Sequence, residues 1–243
     1  MNIAPVFSIL GVLLTILSAT MLIPMLVDIS LGYQNWFGFA SAALISCFVG
    51  ISLWLTNRSK QELNLGLKEA FLLTNSAWVL SGIFGALPFL FSDLGLSFTD
   101  ALFESISGIT TTGSTILTTI ELASPGIILW RALLQWLGGV GIIVMALAIL
   151  PILSIGGMQL FKTETYEASD NAIPRARQLA GGIFGVYASL TLIWTAMLWL
   201  AGMSEFDALI HSMTTLATGG YSSKTASIGA FDSVIIELII IFG

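Results

Sequence analysis

Only 9% of the 243 residues are charged and 56% are hydrophobic, whereas an ordinary soluble domain carries about 25% charged residues; the composition therefore excludes a surface that faces water throughout and predicts solvation largely by lipid. The net charge is −6 and the eight Lys and Arg are scattered, so the basic patch of a nucleic-acid-binding protein is absent. Cys47 is the only cysteine and His211 the only histidine, which excludes a disulfide framework, a cysteine metal site and a multi-histidine metal site.

Five long apolar segments predict membrane-spanning helices, because about 20 apolar residues cross the hydrocarbon core of a bilayer. They cover residues 5–27, 36–56, 70–91, 127–150 and 180–203. No basic residue precedes the first segment, and it is too long for a secretory signal, so we interpret it as the first helix. A sixth segment begins near Asp232 and reaches Gly243 after about a dozen residues, fewer than a bilayer requires. We therefore expect the chain to be the front part of a longer protein.

Basic residues predict the orientation of these helices. Six of the eight follow the second and fourth segments: Arg58, Lys60, Lys68, Lys162, Arg175 and Arg177. The positive-inside rule places both connections, and with them the N-terminus, in the cytoplasm. Residues 92–126 and 204–231 then face outside. Arg131 is expected in the outer turn of its helix, at the membrane interface with Trp130 and Trp136.

The two outside segments repeat each other. Residues 100–115 align without a gap with residues 207–222, at an offset of 107 positions. The identical pairs are Asp100/Asp207, Ala101/Ala208, Leu102/Leu209, Ser105/Ser212, Thr111/Thr218 and Gly113/Gly220, with Gly95/Gly202 and Ser97/Ser204 upstream. Many transport proteins build a central pathway from internal repeats.

Each repeated unit predicts a short helix followed by a Thr/Gly loop. The helix is expected to begin at Asp100 or Asp207, because acidic residues favour helix N-termini. It runs for about ten residues, too few to span a bilayer. Non-helical backbone is tolerated at membrane depth only where it is buried in protein or lines a wet cavity. The sequence therefore predicts an all-α membrane protein with two re-entrant pore-helix and filter loops.

The loops have the chemistry of a potassium filter. A dehydrated potassium ion requires several oxygen dipoles along a narrow path, which backbone carbonyls and Thr hydroxyls supply, while glycine permits the necessary dihedrals. Residues 218–222, Thr-Gly-Gly-Tyr-Ser, match the Thr-Val-Gly-Tyr-Gly loop of potassium channels at Thr, the first Gly and Tyr. Residues 111–115 match it at Thr and Gly. The negative C-terminal ends of the short helices would favour a cation beside the loops.

Several stretches together resemble the membrane subunit of the Trk/Ktr/HKT potassium-transporter superfamily, most closely the bacterial Trk type; they are residues 103–115, 135–144, 149–160, 218–222 and 226–233. The resemblance implies four membrane–pore–membrane repeats after an N-terminal helix pair, in the cell inner membrane. It also implies a homodimer and a cytosolic nucleotide-binding subunit that gates the pore. The filter residues that it implies, binding potassium through backbone carbonyls, are Thr111, Thr112, Gly113, Thr218, Gly219 and Gly220.

On this basis we divide the chain into three parts. Residues 1–68 form an N-terminal transmembrane helix pair, residues 69–160 a first membrane–pore–membrane repeat, and residues 175–243 a second repeat that is truncated in its last helix. Because the third and fourth repeats of the family are missing from these residues, we do not expect the chain to conduct alone.

The predicted function is potassium-selective uptake of a monovalent cation down its electrochemical gradient, without covalent chemistry and hence without enzyme activity. The alternative is a secondary transporter that uses the broken helices as sites for another solute and sodium. Both repeats begin from the cytoplasmic side, and this parallel arrangement favours the pore.

Four positions outside the filter also have interpretations. Glu104 and His211 occupy matched positions of the short helices; we interpret them as structural anchors, with an electrostatic contribution to the outer vestibule as the alternative. Residues 138–141, Gly-Gly-Val-Gly, predict close helix packing rather than a nucleotide loop. Asp232 is expected to cap the last helix, and Glu237 has no assigned role.

Overall fold

The computed structural model describes residues 3–58, 66–153 and 172–243, and the secondary structure over these residues is entirely helical. Lys60, Lys162 and residues 154–160 of the family-like stretch lie outside the described residues. The α-helices are α1 (Ala4–Thr20), α2 (Leu22–Leu31), α3 (Trp36–Asn57), α4 (Leu67–Gly85), α5 (Leu87–Leu90), α6 (Phe98–Ile109), α7 (Pro125–Leu153), α8 (Ala172–Leu200), α9 (Glu205–Leu216) and α10 (Val234–Ile241). Short 3-10 helices lie at Ile120–Leu122 and Ser227–Phe231.

Five helical stretches are long and apolar enough to cross a membrane, which confirms the predicted all-α membrane fold. They are Ala4–Leu31, Trp36–Asn57, Lys68–Leu90, Pro125–Ile143 and Gly181–Leu200. Two of these stretches are broken by proline. Pro24 and Pro88 lack the N–H that would bond the carbonyl four residues earlier. Those carbonyls belong to Thr20, the last residue of α1, and to Phe84, the residue before the last of α4.

Helix α7 forms the centre of the described structure. Of its membrane-capable stretch, 67% is buried inside the protein, against 17–39% for the other four stretches. The fully buried Ile127, Trp130 and Leu134 of α7 belong to the main apolar core with Phe39 and Phe89. The peripheral helices instead expose large apolar side chains, as lipid contact requires.

Two expectations about helix ends and interfaces are wrong. Asp232 does not cap α10: this helix begins at Val234 after Ser233 without a side-chain cap, and Asp232 adopts a left-handed conformation at φ +43°. Trp130 is fully buried in the apolar core rather than exposed at an interface, and its indole Nε1 donates a hydrogen bond to the Gly85 carbonyl at 3.0 Å. Glu237 is exposed in the first turn of α10, where its charge complements the helix dipole.

The N-terminal helices are fixed to the start of α7 by a buried carboxylate. Asp28 of α2 is fully buried and accepts hydrogen bonds from Ser124 Oγ at 2.9 Å and from the Gly126 N–H at 2.7 Å. These groups precede or open α7, whose first N–H groups lack partners within the helix and favour a negative charge. A Cβ at Gly126 would overlap the Asp28 carboxylate, so glycine permits this contact.

We expect Asp28→Ala to destabilise the complete protein, because it leaves the Ser124 hydroxyl and the Gly126 N–H buried without a partner. Such losses cost about 1–3 kcal/mol. Thermal unfolding in detergent would show a lower midpoint for Asp28→Ala and a smaller decrease for Asp28→Asn, which keeps one acceptor oxygen. Asp93→Ala is the control, since Asp93 is exposed; equal midpoints for Asp28→Ala and Asp93→Ala would contradict this account.

Candidate ion pathway

The two short helices have the same length and matched bounds. Helices α6 and α9 each contain 12 residues, and their ends are related by the offset of 107 positions found in the sequence. Each begins two residues before the predicted aspartate, because Ser97 or Ser204 is the N-cap. The Ser97 hydroxyl accepts the Asp100 N–H at 3.2 Å and donates to the Asp100 carboxylate at 2.7 Å. Ser204 and Asp207 repeat these bonds at 3.1 and 2.8 Å.

The loops that follow these helices share one backbone conformation. Thr111 and Thr218 have φ values of +56° and +53°, and Gly113 and Gly220 have +79° and +78°. A non-glycine residue with positive φ is uncommon, so its occurrence at both matched threonines shows that the local fold is repeated. The chain leaves both helices through equivalent hydrogen bonds, namely Thr112 N–H to Ser107 O and Gly219 N–H to Thr214 O, each 2.9 Å.

The structure places the six sequence-predicted filter residues in these two loops, with their carbonyl oxygens free of protein donors. Over the described ranges, no hydrogen bond reaches the carbonyl oxygen of Thr111, Thr112, Gly113, Thr218, Gly219 or Gly220. The next carbonyl of the first loop, at Ser114, accepts a hydrogen bond from Ser107 Oγ at 2.6 Å. In the same described part there is no cluster of His, Cys, Asp and Glu that could hold a metal ion. Free carbonyl dipoles are therefore the cation-binding chemistry that this site offers.

The two loops approach each other closely enough to require glycine. A Cβ added at Gly113 would overlap the carbonyl oxygen of Gly219, and a Cβ at Gly219 would overlap the side-chain amide of Gln135. Gly220 has open space around it, so its requirement comes from its positive φ alone. The first and second loops are therefore in backbone contact at their glycines.

Glu104 and His211 each anchor the residues that follow a loop to the short helix that precedes it. The buried Glu104 carboxylate accepts hydrogen bonds from Thr115 Oγ1 at 2.9 Å and from the Ile116 N–H at 3.2 Å. The buried His211 lies 2.9 Å from Ser222 Oγ through Nε2, and 2.7 Å from the Asp207 carbonyl through Nδ1. A carbonyl only accepts, so Nδ1 carries the proton and Nε2 accepts from Ser222. These matched contacts support the interpretation as structural anchors.

Arg131 of α7 lies behind the loops and is buried in protein, rather than exposed as expected for a residue that faces the membrane interface. It is 1% exposed. Its Nε donates to Glu104 Oε1 at 2.7 Å, and its Nη1 donates to the Ser222 carbonyl at 3.1 Å. Its guanidinium carbon also lies 4.1 Å from the centre of the Tyr221 ring. A buried arginine of this kind is stabilised by its counter-charge, here 27 residues upstream in the sequence.

One turn further along α7, Gln135 contacts the second loop. Its side-chain oxygen accepts the Tyr221 N–H at 3.2 Å. The Tyr221 hydroxyl in turn lies 2.9 Å from the Glu104 carbonyl and 3.2 Å from the Ser114 carbonyl of the first loop. Sequence reasoning missed the roles of Arg131 and Gln135. The signal that could have found them is their i, i+4 spacing, which places two polar side chains on one face of an apolar helix.

The glycines of α7 allow this close approach, as the Gly-rich stretch predicts. A Cβ at Gly138 would overlap the carbonyl of Ile109, the last residue of α6, and a Cβ at Gly139 would crowd the Tyr187 hydroxyl and Ala217. Ala217 directly follows α9. The glycines thus pack α7 against the ends of both short helices as well as against α8.

Beyond the two loops, Glu121 joins the segments that follow them. Its carboxylate accepts hydrogen bonds from the Thr225 side chain and from the Thr225 N–H, the latter at 2.8 Å. Thr225 Oγ1 also accepts the Ile120 N–H at 2.9 Å. The hydrogen bonds from Thr225 hold the pKa of the Glu121 carboxyl below its ordinary value.

Comparison with known proteins identifies a set of close relatives. The chain is 43% identical to the Trk system potassium uptake protein TrkH of Escherichia coli strain K12, over 99% of this chain and 50% of the relative. It is 42% identical to the Trk system potassium uptake protein TrkI of Halomonas elongata, over 94% of this chain and 46% of the relative. The chain thus spans about half the length of the curated relatives it matches.

A solved structure and a family model also match the chain. The crystal structure of the potassium transporter TrkH from Vibrio parahaemolyticus matches 100% of this chain and 49% of that chain, with a TM-score of 0.88 and 39% identity. The TrkH family, described as a cation transport protein, matches residues 37–243. These relatives are named for transport and not for catalysis, which confirms the expectation about enzyme activity. The chain belongs to the TrkH cation transport protein family.

Proposed function

We propose that this chain forms part of a potassium-selective uptake pathway across the cell membrane. In this pathway, potassium is bound by the backbone carbonyls of Thr111, Thr112, Gly113, Thr218, Gly219 and Gly220. The observation that carries the proposal is that these carbonyl oxygens accept no hydrogen bond within the described part of the chain, although the surrounding loop backbone is anchored. Polar backbone at membrane depth needs water or an ion as its partner, and rings of carbonyl oxygens replace the hydration shell of potassium.

The two short helices add an electrostatic reason for a cation. Helices α6 and α9 both end directly at a filter loop, at Ile109 and Leu216. The C-terminal end of a helix carries a partial negative charge of about half an electron, and two such ends converge on adjacent loops. Because the relatives are named as potassium uptake proteins, potassium is the proposed cargo rather than a resident cofactor.

The same proposal covers the assembly and its orientation. We infer a location in the cell inner membrane with the N-terminus in the cytoplasm, on the strength of the basic residues between the helices. The helix pair at residues 1–68 and the repeats at residues 69–160 and 175–243 are the proposed units. Two further filter loops, a second copy of the protein and a cytosolic nucleotide-binding gating subunit would complete the transport system. The family resemblance supports these partners.

Coupled transport of another solute is less well supported. Broken helices in two repeats are compatible with such a transporter, but both loops here have one backbone conformation and equivalent glycines. The relatives are named for potassium uptake. Both facts favour one ion pathway shared by the two loops.

We expect Gly113→Ala and Gly220→Ala to abolish most potassium uptake. Gly113→Ala drives a methyl group into the Gly219 carbonyl, and at both positions an L-residue with positive φ costs about 1–2 kcal/mol, which distorts the loop. The measurement is rubidium uptake by bacteria deficient in potassium uptake that express the complete open reading frame, with the gating partner. Uptake should fall about tenfold or more at unchanged membrane abundance.

Gly32→Ala is the matched control for this experiment. Gly32 also has a positive φ, +77°, but it follows α2 with open space around it. The Gly32→Ala variant reports the effect of backbone strain outside the loops, and its rubidium uptake should stay near that of the wild type. If Gly113→Ala and Gly220→Ala transport rubidium as well as Gly32→Ala does, the loops are not the filter.

We also expect Gly219→Ala to impair uptake through Gln135. Gly219 has no positive φ, and the three atoms nearest to its added methyl group all belong to the Gln135 side-chain amide. Shortening that side chain in the double variant Gly219→Ala with Gln135→Ala removes the overlap, so uptake should recover in part relative to Gly219→Ala alone. Rubidium uptake in the same cells measures this recovery. A double variant that is no better than Gly219→Ala would contradict the close contact.

A further inference from the structure

The two repeats differ in chemistry at two matched positions that lie close to one arginine. At the offset of 107 positions, Glu104 corresponds to His211 and Ser114 to Tyr221, and Arg131 of α7 contacts both Glu104 and Tyr221. The acid and the arginine are paired at 2.7 Å, and the arginine is stacked on the tyrosine at 4.1 Å. Glu104, Arg131 and Tyr221 therefore form one cluster without a matching counterpart in the second repeat's anchor, between the first short helix and the second loop.

Stability alone is a weak explanation for the ion pair in this cluster. Both side chains are almost fully buried, at 0% and 1% exposure. The desolvation of two buried charges offsets much of their attraction, and apolar residues of similar size often serve as well. The second repeat shows that an uncharged arrangement is compatible with the same backbone, since its anchor is the His211 side chain bonded to Ser222.

The cluster connects two filter loops that are distant in sequence. Through its planar fork, Arg131 donates to Glu104 in α6 and to the Ser222 carbonyl at the end of the second loop. The Tyr221 hydroxyl adds contacts of 2.9 and 3.2 Å to carbonyls of α6 and of the first loop. Ser222 comes two residues after the filter glycine Gly220, so a displacement of the cluster would displace the second set of filter carbonyls relative to the first.

We propose that Arg131 is a positioning residue for ion selectivity: with Glu104 and Tyr221, it holds the second filter loop at a fixed distance from the first. The inference rests on the proposed filter function. Discrimination between potassium and the smaller sodium ion depends on the placement and number of carbonyl dipoles around the ion. An arginine is suited to this task because its rigid fork bonds two acceptors at once, which the single ammonium group of lysine does not reproduce.

The test measures ion preference separately from the amount of transport. The complete protein with its gating partner is assayed for rubidium uptake and for its inhibition by sodium, with membrane abundance measured for each variant. We expect Arg131→Lys and Glu104→Gln to lower the rubidium-to-sodium preference about tenfold, the equivalent of about 1.4 kcal/mol of differential binding. Arg58→Met is the matched control, because Arg58 also lies over an aromatic ring, Trp54, but is exposed and directly follows the end of α3. Its preference should equal that of the wild type.

Two further variants separate selectivity from folding. Arg131→Met alone leaves Glu104 buried without its counter-charge, so its abundance should fall; Arg131→Met combined with Glu104→Gln removes both charges and should recover abundance while the ion preference stays reduced. Tyr221→Phe keeps the ring beneath the guanidinium and removes only the hydroxyl contacts, so it tests the same role in a protein that still folds. Variants that reach the membrane and keep the wild-type preference, with uptake proportional to abundance, would overturn the inference.

The outcome also distinguishes this inference from the proposed function. If the wild-type protein takes up rubidium selectively and loses uptake with Gly113→Ala, the filter assignment stands, and the Arg131 variants decide the positioning role alone. If the wild-type protein shows no rubidium uptake with its gating partner, the proposed function fails and this inference fails with it.

Discussion

Backbone that leaves a helix inside a membrane must find partners for its polar groups, because lipid offers none. In this protein the chain leaves a helix twice at matched positions, after α6 and after α9. The loop N–H groups of Thr112 and Gly219 bond back to those helices, whereas the filter carbonyls stay free of protein donors over the described residues. In both loops, therefore, these N–H groups have hydrogen-bond partners in the protein, whereas the six carbonyl oxygens have none among the described residues. Much of the remaining described structure contacts and supports these two loops.

Helix α7 supplies most of that support. Its burial exceeds that of the other membrane-capable helices, and one face carries Arg131, Gln135, Gly138 and Gly139, which are spaced by about one helical turn. The arginine bonds α6 and the second loop, the glutamine bonds the second loop, and the glycines admit the ends of both short helices. The polar side chains thus contact the loops directly, and the glycines, which have no side chain, allow the ends of the short helices to approach α7 closely. A large residue at either glycine would separate α7 from the loops that it supports.

The sequence predicted the architecture well because membrane helices and internal repeats are visible as local or periodic patterns of residues. Apolar segment lengths gave the five membrane-capable helices, and the offset of 107 positions gave two short helices and two loops with equivalent glycines. The predicted start at Asp100 was two residues late because Ser97 is the cap. Arg131 was misplaced because its charge is balanced by Glu104, 27 residues away, and no local pattern reveals such a partner. The contact between Gly113 and Gly219 depends on how the two repeats pack against each other. An alignment of one repeat with the other holds no information about that packing.

Both loops consequently depend on the position of α7 along its own axis. A shift of this helix would move Arg131 and Gln135 relative to both loops at once, so its first turn needs a fixed point. Asp28 provides one: its carboxylate accepts hydrogen bonds from Ser124 and Gly126 at the start of α7, and it complements the positive end of the helix dipole. The N-terminal helices, which carry neither of the two loops, are thereby bonded to the start of the helix that supports both. They therefore help to set the position from which α7 reaches the two loops.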